Sequence, residues 1–140
     1  MDVPEVRRRL RGAIEKARQH AVERRGRSDA AARDYEEFLA GKAVPLFHQI
    51  ASALVAEGHH FKVFSPAGSV RLASDHSPEQ FVEVVLDTDA DPPQVIGRTN
   101  RGRGRRMITA ERPIDEHTPI AELTEDQVLS FVLSELIPLL

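Results

Sequence analysis

Phe61-Lys62-Val63-Phe64-Ser65-Pro66-Ala67-Gly68-Ser69-Val70-Arg71-Leu72 is the stretch that decides the fold. Upstream of it, apolar residues recur at every third or fourth position. From Phe61 onward they recur at every second. Phe61 and Val63 alternate with Lys62 and Phe64, and Val70 and Leu72 alternate with Arg71 and Ala73. Between the two runs, Pro66 and Gly68 have the spacing of a tight turn. A change of period from about 3.6 to 2 marks the passage from helix to strand, and the turn makes the two strands an antiparallel hairpin.

Downstream the strand pattern continues. Residues 81–87 read as a third strand, and residues 94–100 and 105–112 as a second hairpin, with Pro113 ending the last strand. Residues 124–137 read as a closing helix. Thr124 and Gln127 have the spacing of a capping box, and Glu125 and Asp126 lie at its dipole-positive end. The apolar residues of this helix run almost all round it, which places it in a core or an interface.

Upstream, residues 4–25 read as a helix with Pro4 in its first turn. Val3, Val6, Leu10, Ala13 and Ala17 step 3-4-3-4, the spacing of a coiled-coil seam, with Ile14 and Ala21 widening the stripe. Arg25-Gly26-Arg27 predicts a break, with Ser28 or Asp29 capping a second helix. Gly41 and Pro45 predict a kink or short break at 41–44, with Pro45 opening a further helix that Gly58 ends. The first helix is expected to fold back on residues 29–57 as a hairpin or to pair with a second chain.

The expected fold is therefore a single α+β domain over residues 1–140. A helical region (1–57) precedes a five-strand antiparallel meander (58–113), and a C-terminal apolar helix (114–140) follows. A chain of 140 residues can bury roughly two-thirds of its unfolded surface. With six Phe, one Tyr and no Trp, the core must rest on Val, Leu, Ile and Ala.

Charge is sorted along the chain. The net value of −3 conceals ten basic residues in 7–33 and six in 98–112, with acidic excess in 34–97 and 113–140. The second basic block reads Arg98-Thr99-Asn100-Arg101-Gly102-Arg103-Gly104-Arg105-Arg106. Glycines let a hairpin tip turn, and arginines give bidentate donors suited to phosphates. Arg101, Arg103, Arg105 and Arg106 are the candidate nucleic-acid contacts, with Arg98 in support. The alternative is a solvated turn whose arginines pair with nearby Asp and Glu. In the first block, Arg7, Arg8 and Arg9 fan over about 200° of a helix and form no single stripe. Pairs such as Arg11 with Glu15 would account for them.

Other chemistries are bounded more tightly. The chain has no cysteine, which excludes disulfides, thiolate zinc sites and a cysteine nucleophile. Asp87, Asp89 and Asp91 resemble the start of a calcium loop, but Pro92 and Arg98 stand where that loop needs Gly and Glu. The six histidines have no zinc-pair spacing, and no nucleophile elbow, phosphate loop or dinucleotide fingerprint occurs. No cofactor or metal is expected. The N-terminal arginines are not followed by the apolar stretch of a secretory signal, and no run approaches the ~18 apolar residues of a membrane span. A cytoplasmic location without membrane contact is the expectation.

These features support a non-enzymatic binding protein that self-associates as a homodimer through Val6, Leu10, Ala13, Ala17, Phe131 and Leu136. Nucleic acid or an acidic protein surface would be its partner. A protein–protein adaptor using the helical rod and acidic surface is the first alternative. An enzyme with a composite His/carboxylate pocket is the second.

Overall fold

The computed structural model describes residues 1–140. It has the expected α+β architecture: a five-strand antiparallel sheet in the order β1-β2-β3-β4-β5, flanked by helices. The strands are β1 (Phe61–Phe64), β2 (Ser69–Ser74), β3 (Phe81–Asp87), β4 (Gln94–Arg103) and β5 (Arg106–Pro113). Each is joined to the next by a short connection, which permits only antiparallel neighbours.

The N-terminal helices depart from expectation. Helix α1 runs from Val3 to Phe38 without a break at Arg25-Gly26-Arg27. A solvent-facing glycine costs a helix only about 1 kcal/mol relative to alanine, and Gly26 has nothing near it. Tertiary contacts offset that cost. Arg27 donates twice to the Asp91 carboxylate, at 2.9 Å each, and Ala31, Tyr35 and Phe38 are buried. Ser28 and Asp29 are therefore mid-helix and cap nothing. The true cap is Asp2, whose Oδ1 accepts from the Glu5 N–H at 2.9 Å.

At Gly41 and Pro45 the helix widens and does not stop. Leu39–Ala43 form one π-turn, closed by the Val44 N–H on the Leu39 carbonyl. Pro45 then lies in the first turn of α2 (Val44–Ala56). Proline has no N–H to offer the carbonyl one turn back, and a wider turn is the least disruptive way to accommodate it. Val3–Ala56 is thus one helix of 54 residues, about 80 Å long at 1.5 Å per residue. The expected helical hairpin does not form, because the chain never reverses. Averaged over 18 residues, one window of this helix is apolar enough to cross a membrane by length and composition. The apolar residues Leu46, Phe47, Ile50 and Leu54 of α2 are buried against the sheet. Gly58 (φ 87°) ends α2. Its N–H bonds to Val55 O at 3.0 Å and that of His59 to Leu54 O at 2.8 Å, the paired closure of a Schellman motif.

The core lies between one sheet face and the helices. Val70, Leu72, Val82, Val84 and Val95 meet α2 and α3 (Glu125–Leu136) in one cluster. The capping box at Thr124 and Gln127 forms as expected. Two expected interface residues of α3 are interior: Phe131 and Leu136 are each 3% exposed. The helix buries the side that meets the sheet and leaves Leu133 and Ile137 outside. Phe131 points its ring tip at Gly97 of β4, where a Cβ would stand 1.9 Å from Cζ.

Candidate polyanion site at the arginine hairpin

The last hairpin outgrows the sheet. Phe81, the first residue of β3, lies opposite Asn100. Beyond that point β4 and β5 pair only with each other, through Arg101↔Ile108, Gly102↔Met107 and Arg103↔Arg106. Three pairs at about 3.4 Å make a two-stranded arm roughly 10 Å long. Gly104 (φ 64°) is the first of its two turn residues, where a tight hairpin turn of right-handed twist requires a positive φ. The base of the arm is braced from the preceding loop. Gln80 Oε1 accepts from the Gly102 N–H at 3.0 Å, and Asn100 donates to Glu79 O at 2.6 Å. Asn100 Oδ1 also accepts from Thr109 Oγ1 at 2.8 Å.

Strand alternation sets the arginines. Arg101, Arg103 and Arg106 share the face that carries Gly97 and Thr99 toward α3, while Arg105 is in the turn. None of the four makes an ion pair or a side-chain hydrogen bond. Arg103 stands directly opposite Arg106, a like-charge pairing that costs a sheet stability.

The other sheet arginines behave differently. On the face away from the helices, Arg71, Glu83, Arg98 and Glu111 are in register across β2, β3, β4 and β5. Glu83 is 3% exposed and accepts from Arg71 at 2.8 Å and Arg98 at 3.0 Å, while Arg98 also reaches Glu111 at 2.7 Å. Glu111 first, and Glu83 with it, push Arg98 above the ordinary guanidinium range. Arg71 also lies 3.8 Å over the Phe81 ring. Arg112 is held by Glu135 at 3.0 Å and lies 4.5 Å over the Phe131 ring. Arg98 is therefore a brace within the sheet, not part of the exposed tip. The local pairing that would explain the arginine block applies to Arg98 and Arg112 and stops short of the four tip residues.

The two basic blocks are on separate parts of the molecule. Arg27 of the first is fixed to Asp91, beside the start of β4 at Gln94. The tip lies at the far end of that strand, nine residues on, about 30 Å away. Arg8 and Arg9 pair with Glu5, whereas Arg11 does not pair with Glu15.

Two concavities lie at the loop end of the sheet, away from the tip. One, of about 420 Å³, brings Arg27, Asp34, Asp115, Glu116 and His117 together. Its Asp115 carboxylate accepts from the His117 N–H at 2.8 Å and from Gln127 Nε2 at 3.1 Å. The His117 N–H foremost, with Thr118, holds this carboxyl below its usual range. The His117 ring is exposed and makes no hydrogen bond to a carboxylate, and the Asp115 carboxylate organises the loop that follows it. The other, of about 850 Å³, lies between the π-turn and the β1–β2 turn. At its edge Tyr35 donates to Gly68 O at 2.6 Å, and burial raises the phenol above its ordinary range. The sequence carried no local signal for either concavity. In the Asp87–Asp91 loop, Asp87 accepts from the Asp89 N–H and Asp91 is taken by Arg27. No three His, Cys, Asp or Glu side chains are grouped to hold a metal ion.

The chain matches no protein-family model, no curated protein and no solved structure.

Proposed function

We propose that this protein binds nucleic acid through the backbone phosphates, with Arg101, Arg103, Arg105 and Arg106 as the contacts and no catalytic step. The contrast among the sheet arginines carries the reading. Arg71, Arg98 and Arg112 each have a carboxylate, while the four at the tip have none. A phosphate seated between Arg103 and Arg106 converts a repulsive cross-strand pair into two charge-assisted hydrogen bonds. The arm projects past the end of β3 and is braced at its base by Gln80 and Glu79, which presents the four arginines together.

Titration of a 20-base-pair duplex against the protein over a salt series tests this. Four phosphate contacts give a slope of log K on log salt of about −3.6, hence roughly a hundredfold loss of affinity between 50 and 200 mM. Replacing the four tip arginines with glutamine should abolish that slope. Replacing Arg7, Arg11, Arg18 and Arg25 should leave it unchanged. Absence of binding at low salt, or binding that survives the tip replacement, ends the proposal.

A further inference from the structure

The apolar stripe that seats α1 on the globule continues past the point where the globule ends. Ala31, Tyr35 and Phe38 are buried. On the same helix face, beginning nearly three turns back beyond Ser28 and Arg24, come Ala21, Ala17, Ile14, Leu10 and Val3. Residues 6–20 are exposed without exception, and Val3, Leu10 and Ile14 are 70%, 56% and 43% exposed. At about 100° per residue, Arg7, Arg11, Arg18 and Arg25 fall within about 40° of one line beside this stripe. None of them forms an ion pair. The acidic side chains Glu5, Glu15 and Glu23 lie round toward the opposite side. Residues 1–27 hold nine basic and four acidic residues.

We infer that this face of α1 docks an amphipathic helix of another protein, one with an apolar seam and acidic flanks. The 3-4-3-4 spacing of Val3, Val6, Leu10, Ala13 and Ala17 presents a narrow seam of the kind one helix fills, and the alanines let a partner backbone approach closely. Charge selects the partner's flanks. A second copy of α1 brings one segment of nine basic and four acidic residues against another, and packed antiparallel it also sets the arginine line against itself. Phosphates would satisfy the arginines and leave Val6, Leu10 and Ile14 bare. A bilayer gains little from a stripe that is half alanine and contains neither Trp nor Phe. The surface is independent of the hairpin tip and does not rest on the nucleic-acid reading.

The test uses the full chain and a synthetic three-heptad peptide with Leu at both seam positions and Glu at both flanking positions of each heptad. Binding is followed by fluorescence anisotropy and calorimetry. The acidic peptide should bind one to one, and Leu10→Asp should abolish binding while circular dichroism shows the fold intact. Glutamine at Arg7, Arg11, Arg18 and Arg25 should weaken it roughly tenfold, the sum of four modest exposed ion pairs. The same peptide with Lys flanks, and an equally acidic peptide with a scrambled seam, should not bind. Equal binding of either control peptide overturns the inference. So does a dimer of the protein alone in sedimentation that Leu10→Asp dissociates, or tighter binding to phosphatidylglycerol vesicles than to the acidic peptide.

Discussion

Gly97→Ala should destabilise the fold out of proportion to its size. A methyl at this position would lie 1.9, 2.3 and 2.5 Å from Cζ, Cε1 and Cε2 of Phe131. Carbon–carbon contact needs about 3.5 Å, so the ring tip must retreat roughly 1.5 Å. It has little room to do so. The ring is buried, and the Arg112 guanidinium lies over it at 4.5 Å, itself held by Glu135 and Ser134. Overpacking of a dense core costs about 1–3 kcal/mol, and this site belongs at the upper end. Loss of glycine's unfolded-state freedom returns about 0.4–1 kcal/mol. The net expectation is about 2 kcal/mol, or a fall of roughly 6–8 °C in Tm for a chain of this size. Urea and thermal unfolding followed by circular dichroism give both numbers. Phe131→Leu removes the three clashing atoms, so the double variant should be less destabilised than the sum of the singles by at least about 1 kcal/mol. A Gly97→Ala protein within about 0.5 kcal/mol of the parent, or an additive double variant, refutes the packing account.

Glu83→Gln should cost about 1–2 kcal/mol in urea unfolding, a value discounted because Arg71 and Arg98 are each about a third exposed. Arg27→Ala should lower Tm at neutral pH, because Arg27 holds the Asp91 carboxyl below its ordinary 3.8. A depressed carboxyl contributes stability above its unfolded pKa and loses it as pH falls through the folded one. The Tm gap between parent and variant should therefore be full at pH 5 and above, and vanish in acid once Asp91 is protonated in the folded parent; melts across pH check this. Thr124→Ala removes the hydroxyl that accepts from the Gln127 N–H at 3.2 Å. It should cost about 1 kcal/mol in urea unfolding.

The elements that were legible in the sequence are those whose cause is local. Pro66 and Gly68 between two runs of period 2, the capping box at Thr124 and Gln127, and Gly58 at the end of α2 each involve residues within one turn of one another. The α+β meander follows from them. Readings that depended on distant residues went differently. Gly26 carries an ordinary breaking signal yet lies inside α1, whereas Gly41–Pro45 does interrupt the α-helix, as a π-turn with Pro45 in the first turn of α2. The contacts that keep the chain helical through both come from Asp91, 64 residues past Arg27, and from the sheet beneath α2. Phe131 and Leu136 look like interface residues in a helix apolar all round, and only the sheet shows which side of the helix is covered.

The arginines of the second basic block show the same division most sharply. Sequence alone determined that five arginines cluster with two glycines at a hairpin turn, because composition and strand period are properties of contiguous residues. Only the tertiary structure decided which of them are free. Register across four strands brings Glu83 and Glu111, 15 and 13 residues from Arg98, into ion-pair range. It leaves Arg101, Arg103, Arg105 and Arg106 on the arm with no carboxylate at ion-pair distance. An ion pair needs its charges within about 4 Å, so the free arginines are those to which the fold brings no carboxylate at that distance.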